Sequence, residues 1–191
     1  MNTNLRIGQG YDVHAFETGK QITLGGVVIP CQMGIKAHSD GDVVIHALVD
    51  ALLGAGALGD IGQHFPDTDT RWEQKTSRFF LQATVQMLYE KKWSINNVDI
   101  TIIAETPKLK DYRDAMRSNL ARDMRIDIAQ VSVKATTHEG LGFIGRKEGI
   151  AATAIALIRT SNEIVAAADS KQTIDVFLPG FVSSRDVCKI H

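Results

Sequence analysis

The chain is poor in most of the features that mark special classes of protein. Only two of its 191 residues are cysteine, Cys31 and Cys188, far apart and outside any CxxC spacing. That argues against a disulfide framework or a thiolate zinc site and for a reducing compartment, by default the cytoplasm. Its apolar runs are cut by Gly, Asp or Arg well short of the roughly 18 residues that a membrane span needs. The opening MNTNLRIGQGYDVH has no basic stretch followed by an apolar one, so neither secretion nor a membrane anchor is expected. Neither sign of charge dominates: 21 Lys and Arg face 22 Asp and Glu. Nucleic acid and anionic membrane are therefore not expected partners, and an anionic ligand must be met by local groups. There is no internal repeat and no low-complexity block.

What is present is an average globular composition, 44% hydrophobic and 23% charged. A fold of this length buries roughly 70% of the surface of its extended chain, so a bound metal would be functional rather than a folding aid. Leu5 to Val13 reads as β structure, and Gln21 to Ile29 as a hairpin turning at Gly25 and Gly26. In HSDGDVVIHALVDALLGAGALGD, the caps Ser39, Asp40 and Asp42 precede an apolar period of three to four, which predicts a helix over about 42–54 ended by Gly54. A second helix is expected over about 76–91, a strand over 94–104, a helix over 112–123 and a strand over 131–136. THEGLGFIG reads as a glycine-rich loop and EGIAATAIALIRTS as a helix of small apolar residues. Strands alternating with helices suggest an α+β or α/β layer with helices packed on one sheet. Residues 1–159 form the expected domain, and 160–191 are set apart as a tail of uncertain order.

Five of the six histidines lie in short acidic or glycine-rich motifs: His14 in YDVH, His38 and His46 in HSDGDVVIH, His64 in GQHFPDTD and His138 in TTHEGLG. In extended chain Asp12 and His14 project to the same side, a two-ligand clip. His46, on the first turns of the capped helix, can supply a third ligand. One Asp and two His suit zinc and leave its fourth position open, the catalytic arrangement. Asp42, one turn before His46, is the expected acceptor for its ring. Taken singly, DVH reads first as a capped turn and His46 first as an ordinary helix histidine; the joint occurrence carries the metal reading.

Three loops add to it. LGDIGQHFPDTD reads either as a helix stop and turn or as a sugar-binding loop with carboxylates and an apolar wall at Phe65. KATTHEGLGFIGRKEG offers hydroxyls at Thr136 and Thr137, backbone amides at Gly140, Gly142 and Gly145, and the cations Lys134 and Arg146. All of these suit phosphate oxygens, while Glu139 is a hard ligand for magnesium or manganese. IIAETPKLKD turns through Pro107, either as a plain connection or as a loop holding a nucleobase edge.

Taken in order, GYDVHAF, AHSDGDVVIHALVDALLGAGALGDIGQHFPDTD, DITIIAETPKL and VSVKATTHEGLGFIGRKEGIA closely resemble the 2-C-methyl-D-erythritol 2,4-cyclodiphosphate synthase family, from about Arg6 to Ile158. The resemblance implies a lyase of non-mevalonate isoprenoid (terpenoid) biosynthesis. Such an enzyme turns 4-diphosphocytidyl-2-C-methyl-D-erythritol 2-phosphate into the 2,4-cyclodiphosphate by intramolecular phosphoryl transfer, with release of CMP. It also implies an α+β subunit, a mixed β-sheet with helices packed on one face, assembled as a homotrimer with active sites between subunits. Contacts with other enzymes of the pathway are left open.

Carried over by position, Asp12, His14 and His46 match the zinc ligands, and Glu139 matches the ligand of a second divalent cation, magnesium or manganese, on the substrate phosphates. His38 and Thr137 match the groups that stabilise the transition state, with Ser39 beside the former. Asp12, Val13 and His14 also border the substrate. Asp60, Ile61 and Gly62, then Phe65, Pro66, Asp67, Thr68 and Asp69, match the segments around the methylerythritol phosphate. Ala104, Glu105, Thr106, Pro107, Lys108, Leu109 and Lys110, with Thr136, match the cytidine and CMP phosphate pocket, and His138 also borders the substrate. Phe143 and Arg146 match the far edge of the substrate site. Since the substrate brings its own nucleophile, the 2-phosphate, the protein has mainly to fold the ligand and neutralise charge. Gly140, Gln9 and Thr153 stand where relatives commonly have lysine, histidine and glutamate; with Thr153 in the central channel, regulation by isoprenoid diphosphates is not expected. A zinc phosphodiesterase using bound water, or a trimeric binding module without turnover, are the competing readings.

Overall fold

The computed structural model describes residues 4–37, 39–72 and 75–161. His38 and nearly all of the C-terminal tail, Cys188 included, lie outside the described residues. The strands are β1 (Leu5–Thr18), β2 (Gln21–Leu24), β3 (Val27–Pro30), β4 (Met33–Ile35), β5 (Trp93–Ile103), β6 (Val131–Thr136) and β7 (Gly149–Thr160). The helices are α1 (Val43–Gly56), the single turn α2 (Ile61–His64), α3 (Ser77–Glu90), α4 (Arg113–Met124) and the single turn α5 (Gly142–Gly145). Five strands form one sheet in the order β4-β1-β7-β5-β6, and β2 and β3 form a separate hairpin. Among the described residues only β5 and β6 pair in parallel. The sheet is therefore mixed, and the α+β expectation holds.

Two expectations are corrected. The segment EGIAATAIALIRTS is not a helix but β7, the middle strand, paired with β1 on one side and β5 on the other. Its Ile150, Ala152, Ala154, Ala156 and Ile158 are buried under α1, while Ala151, Thr153, Ile155 and Leu157 occupy the other face. With apolar residues on both faces, no polar alternation announces period two, and its alanines favour helix on intrinsic propensity. The first helix, in turn, runs on past Gly54 to Gly56 and is closed by Ala57 in the left-handed conformation (φ 54°).

Helix α1 is apolar nearly all round because it lies between the sheet and α3; only His46, Asp50 and Gly54 break its burial. Those positions are four apart, so they make one polar stripe on a buried helix. Asp42 caps the start, its Oδ1 accepting the Ile45 amide at 3.1 Å. Strand β1 meets α1 through Gly8 and Gly10: a Cβ on Gly8 would fall 2.0 Å from the Ala51 carbonyl oxygen, and one on Gly10 2.0 Å from that of Ala47. Two residues of strand advance about 6.7 Å and four of helix about 6 Å, so strand and helix stay in step. The next residues on that strand face, Asp12 and His14, thus meet the first turn of α1, where His46 stands.

Replacing Gly10 by Ala should cost about 1–3 kcal/mol of stability, because it drives backbone into backbone. Gly54→Ala, where nothing lies within 4 Å of the added carbon, should be neutral or gain about 0.5–1 kcal/mol. Urea unfolding of the two variants checks the contrast; equal stabilities would contradict it.

Candidate metal centre

Three side chains converge where β1 crosses the start of α1. Asp12 Oδ2 lies 3.0 Å from His14 Nε2 and 3.1 Å from His46 Nδ1, and the two ring nitrogens are 3.2 Å apart. A tetrahedral ion with metal–ligand distances near 2.0–2.1 Å needs ligand atoms about 3.3 Å from one another. The triangle is already of that size, so Asp12, His14 and His46 form a half-buried group able to hold a metal ion. The second carboxylate oxygen is engaged locally: Oδ1 of Asp12 accepts the Val13 amide at 2.8 Å. Burial pushes the Asp12 carboxyl up, but the hydrogen bonds and charges of His14 and His46 outweigh it and hold the group well below the ordinary carboxylate range. Hydrogen bonding to Asp12 raises His14 in return, against the effect of its partial burial.

The acceptor behind His46 is not Asp42. That carboxylate is fully buried and takes the amides of Gly25 at 2.9 Å, Gly26 at 2.7 Å and Ile45, so it ties the β2–β3 turn to the helix start. The His46 ring instead reaches Ser77 through Nε2, 2.9 Å from Oγ. Ser77 lies 31 residues further on, and nothing in the local spacing around His46 could have announced it. Asp50 was also missed: one turn after His46, its Oδ1 accepts the Ile61 amide at 2.8 Å and so ties α2 to the metal side. An acidic residue four positions after His46 in an otherwise apolar helix was the available signal.

The loop from Asp60 to Asp69 therefore neighbours the triad. Much of it is engaged internally. Asp60 caps α2 through the Gln63 amide at 2.9 Å, and Asp69 pairs with Arg71 at 2.6 Å. Phe65 is not an exposed apolar wall: it is buried, 4.9 Å from Phe80 and 5.4 Å from Trp72 between ring centroids. Ile61 and Pro66 are half-buried, and Gly62, Asp67 and Thr68 are exposed. Ser39 accepts the Gly41 amide at 3.3 Å.

The remaining candidates gather elsewhere, at the ends of β5 and β6. The Ala104 amide donates to the Thr136 carbonyl at 3.0 Å, which joins the segment Ala104 to Lys110 to the 136–139 turn. Glu105 Oε1 accepts the amides of His138 at 3.0 Å and Gly140 at 3.2 Å. Thr137 donates its hydroxyl to Glu139 at 2.7 Å, and Glu139 takes a left-handed backbone (φ 51°). Thr106 and Pro107 are half-buried, Leu109 is buried, and Lys108, Lys110 and Phe143 are exposed.

One expectation for this loop is corrected. The Gly140 amide faces Glu105, and that of Gly145 donates to Leu141, so neither is free for a phosphate. Lys134 and Arg146 form exposed ion pairs with Asp99 and Glu148, contacts that water screens.

Within one chain the two clusters do not meet. His14 on β1 and Thr136 on β6 are separated by β7 and β5, three strand spacings or about 14 Å.

The family model described as the YgbB family matches residues 5–159. Two bacterial proteins named 2-C-methyl-D-erythritol 2,4-cyclodiphosphate synthase are similar to this chain. That of Thioalkalivibrio sulfidiphilus is 57% identical over 157 residues, 82% of this chain and 98% of the relative. That of Pseudomonas aeruginosa is 56% identical over 154 residues, 81% of this chain and 98% of the relative. Among solved structures, the CDP complex of Plasmodium falciparum IspF superposes with a TM-score of 0.73 at 40% identity, covering 83% of this chain and 97% of that one. The bifunctional IspDF of Campylobacter jejuni superposes with a TM-score of 0.80 at 44% identity, over 83% of this chain and 43% of the longer protein.

Burial, only partly offset by its three amide donors, pushes the Asp42 carboxyl from an ordinary 3.8 up to about 6. Between those values the folded chain keeps a proton that the unfolded chain has lost, so rising pH favours unfolding through this group. Its contribution to stability is full below pH about 4 and falls by at most about 1.4 kcal/mol per pH unit as pH rises towards 6. In metal-free protein, Asp42→Asn should lack that slope; parallel stability curves for the two proteins over this window would contradict the assignment.

Proposed function

The chain belongs to the YgbB family, and we propose that the Asp12–His14–His46 group and the Glu105–Glu139 cluster are the two halves of its active site. It is an enzyme of isoprenoid biosynthesis. It converts 4-diphosphocytidyl-2-C-methyl-D-erythritol 2-phosphate to 2-C-methyl-D-erythritol 2,4-cyclodiphosphate with release of CMP. Residues 1–159 are its catalytic domain, and its setting is the cytoplasm, in keeping with so little cysteine. Among the described residues no helix is long and apolar enough to cross a membrane.

Zinc is the ion for Asp12, His14 and His46, and magnesium or manganese the ion for Glu139; when bound they supply Lewis-acid stabilisation of charge on the diphosphate. The chain's own residues hold and fold the substrate. The segment Asp60 to Gly62, with Phe65 to Asp69, borders the methylerythritol phosphate, and Asp50 positions that segment by holding the Ile61 amide. Ala104 to Lys110 and Thr136 hold the cytidine and CMP phosphate, with Phe143 and Arg146 at the edge. His38 and Thr137 donate to the crowded phosphate oxygens, Ser39 beside the former. No side chain acts as nucleophile, because the 2-phosphate of the substrate does.

The observation that carries the assembly is the distance between the halves. A diphosphate cannot span about 14 Å, so a complete site takes its metal half from one chain and its CMP half from another. A second feature agrees. The sheet face away from the helices exposes Leu5 (59%), Ile7 (69%), Tyr11 (54%), Val13 and Ile155, an apolar surface that needs cover. A homotrimer provides both, with one site at each subunit contact. The CDP-bound Plasmodium structure supports a cytidine nucleotide as the ligand. The bifunctional Campylobacter chain, with a related unit inside a longer protein, supports contacts with other enzymes of the pathway.

Phosphorus NMR with the purified protein should show metal-dependent cyclic diphosphate together with CMP. CMP with a linear product would make it a phosphodiesterase, and binding without turnover a binding module. Asp12→Ala and His46→Ala should abolish turnover by at least about a hundredfold while leaving the assembly folded.

Co-assembly tests the shared site. His46→Ala and Glu139→Ala chains are each inactive alone; mixed at random they should regain about one quarter of wild-type activity, since one site in four draws both intact halves. No recovery in verified mixed assemblies would place both halves of each site in one chain.

A further inference from the structure

The third ligand of the metal group is held from behind by residues remote in sequence. Ser77 is the first residue of α3, and its side chain is fully buried. Its hydroxyl donates to Asp40 Oδ1, and its amide donates to the same carboxylate at 3.1 and 3.2 Å. On its other side Ser77 Oγ lies 2.9 Å from His46 Nε2. The direction of these bonds is forced. A carboxylate only accepts, so the single hydroxyl proton of Ser77 goes to Asp40. What Oγ then offers His46 is a lone pair, and Nε2 must carry the proton. The other ring nitrogen, Nδ1, is then the one turned towards Asp12 Oδ2 at 3.1 Å and His14 Nε2 at 3.2 Å, and it is the nitrogen whose lone pair a bound metal would take.

We propose that Ser77 and Asp40 are positioning residues of the metal centre: acting in series, they fix His46 in its Nε2–H tautomer and hold Nδ1 as the ligand. This rests on reading Asp12, His14 and His46 as a metal site, and it extends that site to two residues that touch neither metal nor substrate. Asp42 cannot take the role, because its oxygens face three backbone amides. The arrangement also explains why a serine is buried at a helix start whose own N-cap, Thr76, makes no side-chain cap bond. Asp40 supplies that bond from another segment. Helix capping alone is therefore the rival account.

The test compares wild type with Ser77→Ala, Ser77→Thr and Asp40→Ala. Zinc affinity, measured by competition with a chromogenic chelator, should fall about 10- to 100-fold in Ser77→Ala and return to within a few-fold of wild type in Ser77→Thr, which keeps the hydroxyl. Asp40→Ala should fall like Ser77→Ala, because without the carboxylate the Ser77 hydroxyl is free to donate to Nε2 and no longer requires a proton there. In metal-free, 15N-labelled protein, long-range proton–nitrogen spectra should show a slowly exchanging proton on His46 Nε2 in wild type and a rapidly exchanging one in Ser77→Ala. Unchanged zinc affinity with an unchanged Nε2 proton, even beside a lowered melting temperature, overturns the proposal and leaves capping as the only role. If Ser77→Ala does not fold, Asp40→Ala discriminates the two accounts by the same pair of measurements. Failure of wild type to bind zinc would overturn the metal reading itself, and this proposal with it.

Discussion

The close contact of β1 on α1 is the constraint from which the rest follows. Gly8 and Gly10 let the strand lie against the carbonyls of Ala51 and Ala47 with no side chain between. Once that spacing is set, the next positions on the same face, Asp12 and His14, must come up beside the helix start and His46. The metal triangle is thus a by-product of backbone packing. Its edges of 3.0 to 3.2 Å follow from a rigid strand laid on a rigid helix, which loops would not hold as closely. The same contact explains the small residues of β7: alanines at 152, 154 and 156 keep the neighbouring strand equally near the helix.

A site anchored this way is fixed at one edge of the chain, whereas the segments that suit a nucleotide are fixed at the ends of β5 and β6, across two intervening strands. No loop among the described residues bridges them. The geometry that makes each half stable also keeps the halves apart, and it leaves an apolar sheet face with nothing on it. The proposed homotrimer answers both conditions, covering that face and supplying the CMP half of one chain to the metal half of another. In this reading the oligomer is part of the catalytic apparatus.

What was legible in the sequence divides along physical lines. Period two put Asp12 and His14 on one side of a strand, and capping put His46 at a helix start, so the ligand set could be read from local rules. The hairpin at Gly25 and Gly26, the strands ending near 103 and 136 and the helix Ser77–Glu90 were equally local. Strand β7 was not legible, since burial by α1 on one face and apolar residues on the other erase the alternation. Nor were Ser77 behind His46 or Glu105 beneath the 138–140 amides, for these are contacts across 31 and more than 30 residues that only the tertiary fold creates. Asp42 shows the same limit from the other side: the right residue type one turn before His46, drawn away by the amides of a hairpin.

The charge around the site closes the reasoning about metals. Asp12, Asp50 and Asp60 lie in or beside one half, Glu105 and Glu139 in the other, while the nearby cations Lys134 and Arg146 are already paired with Asp99 and Glu148. A substrate carrying three phosphoryl groups meets carboxylates at each half, with Lys108 and Lys110 the exposed cations of the CMP segment, and the chain as a whole, at −1, offers no compensating field. A metal ion held by Asp12, His14 and His46 adds positive charge where a carboxylate would otherwise repel the ligand. That is why an acidic site can serve a polyanionic substrate. The proposed role of Ser77 and Asp40 has the same logic: by keeping the proton of His46 on Nε2 they leave Nδ1 to the metal, on which the charge balance of that half depends.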